Sequence, residues 1–291
     1  MSTKLGGRIF DIFNYSIMIL LMIACLYPFL LIVFYSLSDP AELTQASSFL
    51  YKPLGLQFEA YKAVFQNKMI MSGYRNTLFY VTVGTTLNVF ITVMLAYALS
   101  RRGPMLLPFM TMMIVVTMFF SGGLIPTYLV MKQLGIVNTW LAMIVPGLVI
   151  TYNLIIVRTY FKSIPEELEE SARIDGANEF VIMLRIMMPL SMPIIAVMIL
   201  YYGVGHWNAW FNASIYLTKT NLFPLQLVLR NILIAGDTNE LLATLGTIKG
   251  RDMTEIVKYA AIVVTTAPIL ALYPFLQKHF VKGIMIGALK G

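Results

Sequence analysis

Six long stretches of this 291-residue chain contain no Asp, Glu, Lys or Arg: residues 12–38, 76–100, 103–131, 133–157, 186–218 and 259–277. They run from 19 to 33 residues, and all 35 charged residues fall outside them. A helix rising about 1.5 Å per residue needs about 20 apolar residues to cross the hydrocarbon of a bilayer. One such run fits a buried core helix; six in one chain do not. The pattern predicts an all-α membrane protein with six transmembrane helices, forming a single transmembrane domain over residues 1–291. The fifth run, at 33 residues, is longer than a span needs and is expected to include a re-entrant or interfacial piece. The first run is too long for a cleavable leader and is followed by no clean small-x-small site, so it is expected to remain as the first helix.

Composition narrows the class. The chain is 58% hydrophobic and 12% charged, against roughly 25% charged in a soluble domain. A soluble enzyme, a disordered chain and a disulfide-rich module are therefore not expected. Cys25 is the only cysteine and His206 and His279 the only histidines, so no Cys/His-rich metal site is expected. The net charge of +7 suits basic anchors at the cytoplasmic face of a membrane better than nucleic-acid binding. Six spans put both termini on one side. If that side is the cytoplasm, eleven cations lie inside and ten outside. The inside segments are shorter, and the tight loop at Arg101 and Arg102 carries two arginines where the loop at Lys132 carries one cation. Charge density thus favours both termini inside. Residues 39–74 and 219–258 then form two long outside segments with short helices.

The densest charge lies between the fourth and fifth runs. Residues 158–189 hold ten charges. Ser163 is placed to cap a helix, with Pro165 in its first turn and Glu166 completing a capping box. Glu166, Glu167, Glu169 and Glu170 crowd the first turns, where the helix dipole favours anions. Leu168 and Ala172 lie four apart on one face. Gly176 stops the helix, and a second amphipathic helix with Ala177, Phe180, Val181 and Leu184 leads to Pro189 and the next span. Two short helices at a glycine bend predict a rigid protruding elbow.

Glu170-Ser171-Ala172, three residues, Gly176, nine residues, then Ile186-Met187-Met188-Pro189 resembles the EAA motif of ABC importer permeases. Ser171 and Met188 are its two departures, and both keep size or polarity close. The extended stretch Glu169 to Ala177 is similar to the carbohydrate branch, that of the maltose importer's smaller permease. Residues Phe120-Ser121-Gly122-Gly123-Leu124-Ile125-Pro126-Thr127-Tyr128 resemble the subgroup for oligosaccharides or polysaccharide fragments. The resemblance implies cytoplasmic coupling helices that dock on a separate ATPase through Glu169, Glu170, Ser171, Ala172, Asp175 and Gly176. In this role Glu170 meets a basic residue of the ATPase, Ala172 permits close approach and Gly176 permits the bend. It further implies a bacterial plasma-membrane location and alternating access driven by an ATP-hydrolysing subunit dimer. A second homologous permease would complete a heterodimer, and an extracytoplasmic sugar-binding protein would deliver the substrate. The segment 219–258 would face that binding protein, and the tail ending Lys290-Gly291 would dock at the ATPase dimer.

No Gly-x4-Gly-Lys-Ser/Thr phosphate loop is present, and residues 246–250 lack its spacing. ATP hydrolysis is therefore expected on a partner chain, with no cofactor or metal bound here. An ion-coupled secondary sugar transporter is the alternative. The absence of ionisable groups from the six runs weighs against it, although carbonyls can also hold sodium. An intramembrane enzyme would need a nucleophile and base at membrane depth, and the runs offer no acid and no histidine pair; His206 reads as an interfacial polar group. Sugars bind through aromatic stacking and hydrogen bonds. Trp207, Asn208, Trp210 and Asn212 supply both within six residues and are candidates for the substrate path, although Trp also gathers at membrane interfaces. Asn153 and Asn88 are uncharged polar groups within spans that face a cavity or a neighbouring helix. Gly122-Gly123 with Pro126 predicts a break or kink in the third helix, or else a packing notch.

Overall fold

A computed structural model describes residues 2–43, 49–101, 106–235 and 251–288, with side chains for 7–43, 49–101, 106–234 and 253–271. Every regular element among these residues is helical. Apart from the short turns Pro40–Leu43 and Thr220–Leu222, they are in chain order α1 (Ser2–Leu37), α2 (Glu59–Gln66), α3 (Lys68–Ser100), α4 (Leu106–Phe119), α5 (Leu124–Gln133), the 3-10 turns Trp140–Gly147, and α6 (Thr151–Lys162). There follow α7 (Glu167–Ile174), α8 (Glu179–Leu190), α9 (Met192–Trp207), α10 (Trp210–Tyr216), α11 (Leu225–Ile234) and α12 (Arg251–Ala288).

Three described helices are long and apolar enough to cross a membrane: Gly7–Leu37, Lys68–Ser100 and Met253–Ala271. Three bent pairs pass the same test together, giving up to six crossings if each pair is one span. α4 and α5 meet at 115°, the Trp140–Gly147 turns and α6 at 52°, and α8 and α9 at 85°. The sharpest bend falls where Gly122-Gly123 predicts it. Gly123 takes φ +84, and Pro126 sits in the first turn of α5. At the α8–α9 bend Pro193, which has no N–H, cannot bond the carbonyl of Pro189, and the ladder turns at Ser191. The long fifth run does contain a separate piece: α9 ends at Trp207, and α10 begins three residues later.

The chain forms two compact units. One comprises residues 1–68 and 231–267. Here α1 keeps its apolar side chains on the surface until its end, where Ser36 Oγ and Tyr61 Oη lie 2.6 Å apart. Tyr35 stacks on Tyr259 at 5.1 Å, and Gln57 Nε2 donates to the Ser38 carbonyl at 2.7 Å. Ala60, Ala63 and Val64 of α2 are buried, as are Met253, Ile256, Val257, Ala260 and Ala261 of α12.

The other unit comprises residues 69–230 and 268–291, and two apolar cores flank the π-helical turn Tyr80–Gly84 of α3. The first core joins Val93, Ala96, Tyr97 and Leu99 of α3 to Leu154, Val157 and Phe161 of α6, Ala172 of α7, Ile182 and Met187 of α8, and Met198 and Tyr202 of α9. The second joins Tyr80, Met131, Ala142, Met143, Ala213, Tyr216, Leu217 and Leu227. Asn138, at φ +62, locks this second core. Its Oδ1 accepts from the Thr218 N–H at 2.5 Å and from Thr218 Oγ1 at 2.9 Å.

Candidate functional site

The elbow is present, with corrected limits. α7 begins at Glu167 and not at Ser163. Ser163 instead ends α6: its N–H and its Oγ both donate to the Tyr160 carbonyl, at 3.0 and 2.7 Å. Ile164 precedes a proline, which disfavours helical backbone there, so the chain leaves the helix before re-entering it. Glu166 stands at the N-cap position without a side-chain capping bond. The turn between the arms is at Gly176, φ +82. The N–H of Gly176 bonds the Arg173 carbonyl at 3.0 Å and that of Ala177 bonds the Ala172 carbonyl at 2.9 Å. A side-chain cap does exist, on the second arm: Asn178 Oδ1 accepts from the Val181 N–H at 2.9 Å.

Helical spacing sorts the motif into two faces. Glu167, Glu170, Ser171 and Ile174 turn outward, and Asp175 and Gly176 are also exposed. Glu169 and Ala172 turn inward, at 4% and 8% exposure. Ala172 therefore packs in the chain's own core. On α8 the expected apolar face is inverted: Phe180 and Leu184 are exposed, whereas Ile182, Met183 and Met187 are buried. Ile174 is 85% exposed beside three outward carboxylates. Large apolar side chains thus stand exposed beside these carboxylates.

A polar network holds the elbow to the end of α3. Buried Glu169 pairs with Arg101, whose guanidinium also lies 4.7 Å from the Tyr97 ring centroid. Tyr97 Oη donates to Glu179 Oε2 at 2.5 Å, and Arg173 donates to Glu179 Oε1 through Nε at 3.0 Å and Nη2 at 2.8 Å. The Tyr97 hydrogen bond, with help from Arg173, holds the Glu179 carboxyl below its ordinary value. Burial lowers the Arg101 guanidinium from its usual value, and arginine remains charged. Arg158 Nε donates to the Leu99 carbonyl at 2.9 Å, tying α6 to the same helix end. Ser100, Arg101, Glu166, Glu169, Glu170 and Arg173 line a polar cleft of about 100 Å³. All six carboxylates of residues 69–230 lie between 166 and 179. The sequence gives no local sign of the roles of Tyr97 or Arg101, because their partners are distant in the chain; Asn178, an Asn just before an apolar turn, was the legible cap.

The aromatic segment is divided by the fold. Trp207 is 4% exposed, edge-on to Tyr74 at 6.5 Å, and its Nε1 has no hydrogen-bond partner among the described residues. Asn208, Trp210 and Asn212 face outward. The Arg230 guanidinium lies 5.0 Å from the Trp210 ring centroid. Asn153 is buried on α6. His206 is also buried, in the last turn of α9. Its Nε2 lies 2.7 Å from Asn88 Oδ1, while Asn88 Nδ2 donates to the Gly147 and Leu148 carbonyls, both at 2.8 Å. With the amide nitrogen so engaged, Nε2 is the donor to Oδ1. Asn88 thus bonds neighbouring segments of this chain. Lys290, Gly291, Arg102 and residues 236–250 of the outer segment lie outside the described residues.

Residues 79–286 match the sequence model of the family described as binding-protein-dependent transport system inner membrane component. Protein LplC of Bacillus subtilis (strain 168) is 42% identical over 98% of this chain and 96% of its own length. The polygalacturonan/rhamnogalacturonan transport system permease protein YtcP of the same organism is 36% identical over 98% and 99%. A chain in the crystal structure of a bacterial ABC transporter involved in the import of the acidic polysaccharide alginate superposes with a TM-score of 0.89. It is 32% identical, with 94% of this chain and 98% of that chain covered.

Proposed function

The chain belongs to the inner-membrane component family of binding-protein-dependent transport systems, and on that premise we propose that it forms half of the translocation path of an ATP-driven importer for oligosaccharides or polysaccharide fragments. It is a non-hydrolytic permease subunit of a bacterial membrane, and a separate ATPase burns the nucleotide. In this reading the 291 residues are one permease domain of six spans with both termini in the cytoplasm. Its partners are an ATPase dimer, a second homologous permease and an extracytoplasmic sugar-binding protein. Nothing among the relatives supports an ion-coupled transporter.

The observation that carries the proposal is the elbow. In a chain with so few charges, an acidic helix face with exposed Ile174 and Glu170 is fixed by short bonds to a long apolar helix. Glu170 is the anionic contact for the ATPase, and Ser171, Asp175 and Gly176 share its surface. Glu169 and Ala172 support that surface from behind. On the opposite side of the membrane, Asn208, Trp210 and Asn212 are the substrate-path candidates, with Trp207 and Asn153 setting the shape of the wall behind them. The tail at Lys290 and Gly291 is retained as a docking element. Glu170→Lys reverses charge at an exposed position without touching the core. Uptake is expected to be abolished and the ATPase lost on purification, with insertion unchanged. A variant that transports normally with its ATPase attached refutes the assignment.

A further inference from the structure

Both arms of the elbow are tied to one place. Glu169 on α7 reaches Arg101, and Glu179 at the start of α8 reaches Tyr97, four residues earlier on the same helix end. Arg173 closes the loop by bonding Glu179 across the Gly176 turn, and Arg101 lies against the Tyr97 ring. The first pair serves no outward surface: the Glu169 side chain is 5% exposed and that of Arg101 15%, whereas Arg173 and Glu179 stand half exposed. An acidic docking helix does not need a buried carboxylate to meet a partner in water. It does need one if it must not swivel on its glycine turn.

We propose that Arg101, Glu169, Tyr97 and Glu179 form a two-point latch that makes the elbow and α3 one rigid body, so that displacement of the elbow is delivered to α3. This rests on the reading of the elbow as the ATPase handle. The four are positioning residues: Glu169 and Arg101 are turned inward, and exposed Glu179 is engaged by Tyr97 and Arg173 of this same chain. The physical reason for two points is geometric. A single bond leaves the elbow free to rotate about it, and Gly176 supplies a backbone able to do so; two bonds on separate arms remove that freedom. The first latch is buried, where loss of one charge leaves the other uncompensated. The second is charge-assisted and half in water, and it borrows rigidity from the tyrosine ring.

The test uses the purified complex with its ATPase, in a Cys25→Ser background with spin labels at Thr86→Cys on α3 and Leu168→Cys on α7, both exposed. The label distance is read by pulsed electron resonance without nucleotide and with ATP and vanadate. The expected result is one narrow distribution that does not shift between the two states. Arg101→Glu or Glu169→Arg alone is expected to widen it about twofold or more, and the double exchange to restore it, as a direct pair requires. If the single reversals do not assemble, Arg101→Gln with Tyr97→Phe removes both latches at nearly constant volume, and the same widening is expected. Three outcomes overturn the proposal: an original distance that shifts with nucleotide, an unchanged width in the paired variant, or a double exchange no better than either single. Failure of the handle reading looks different. In that case Glu170→Lys retains its ATPase, whatever the label distances show.

Discussion

The elbow at 163–190 and the aromatic segment at 205–212 both group functional side chains within a few residues, and the fold treats them differently. In the elbow, five of six acidic positions are exposed and one, Glu169, is turned inward, where it finds the Arg101 cation; exposed Glu179 is held by the Tyr97 hydroxyl and Arg173. In the aromatic segment the helix stops at Trp207, so Trp207 and Trp210 belong to separate helices. One is sealed against Tyr74 and the other faces out beside Arg230. Residues close in sequence need not share an environment. A break between them can send two identical side chains to opposite environments.

That contrast can be broken most forcefully at the two tryptophans. Trp207→Ala empties a buried site and is expected to cost about 3–5 kcal/mol, seen as a large fall in the thermal unfolding temperature of the purified complex. Trp210→Ala removes a surface ring and its contact with Arg230, at about 1 kcal/mol or less, while uptake falls. Equal unfolding temperatures for the two variants would erase the distinction drawn between them.

A glycine packed against the aromatic segment and one inside the elbow are needed for opposite reasons, which gives a smaller and sharper test. Gly84 has ordinary helical backbone, but a Cβ there would lie 2.5 Å from His206 Nε2. Gly84→Ala is expected to cost about 1–3 kcal/mol through overpacking, relieved by also shortening His206. Gly176 has open space around it and φ +82, so Gly176→Ala costs about 1–2 kcal/mol through backbone strain alone, and no neighbouring substitution relieves it. Unfolding of the two single and the two double variants checks both.

The smallest expected effect is that of pH on the second latch. The folded Glu179 carboxyl sits below its ordinary value, itself about 4.3. Its contribution is therefore complete above the ordinary value and is lost only as pH falls through the lower, folded one. Between about pH 5 and 8 the elbow-to-α3 distance distribution is expected to stay constant. Widening within that range would mean that Glu179 is not held by Tyr97 and Arg173 as described.

Much of this was legible in the chain. Charge-free runs gave the membrane class, because an unpaired charge in hydrocarbon is costly and its absence over 19 or more residues leaves a local trace. Gly122-Gly123 marked the sharpest bend and Gly176 the elbow turn, since a positive φ is a property of one residue and its neighbours. The start of α7 was misplaced because Ser163 serves the preceding helix, and the apolar face of α8 was inverted.

Helical periodicity determines which residues share a face; it does not determine which face meets the core. That choice, the burial of His206 against Asn88 118 residues away and the grip of Tyr97 on Glu179 82 residues away, belonged to the tertiary structure. Apolar runs set where helices can form, because hydrogen bonding and lipid exposure act locally. Polar pairing between distant segments depends on which helices pack together, and only the folded chain brings those groups within reach.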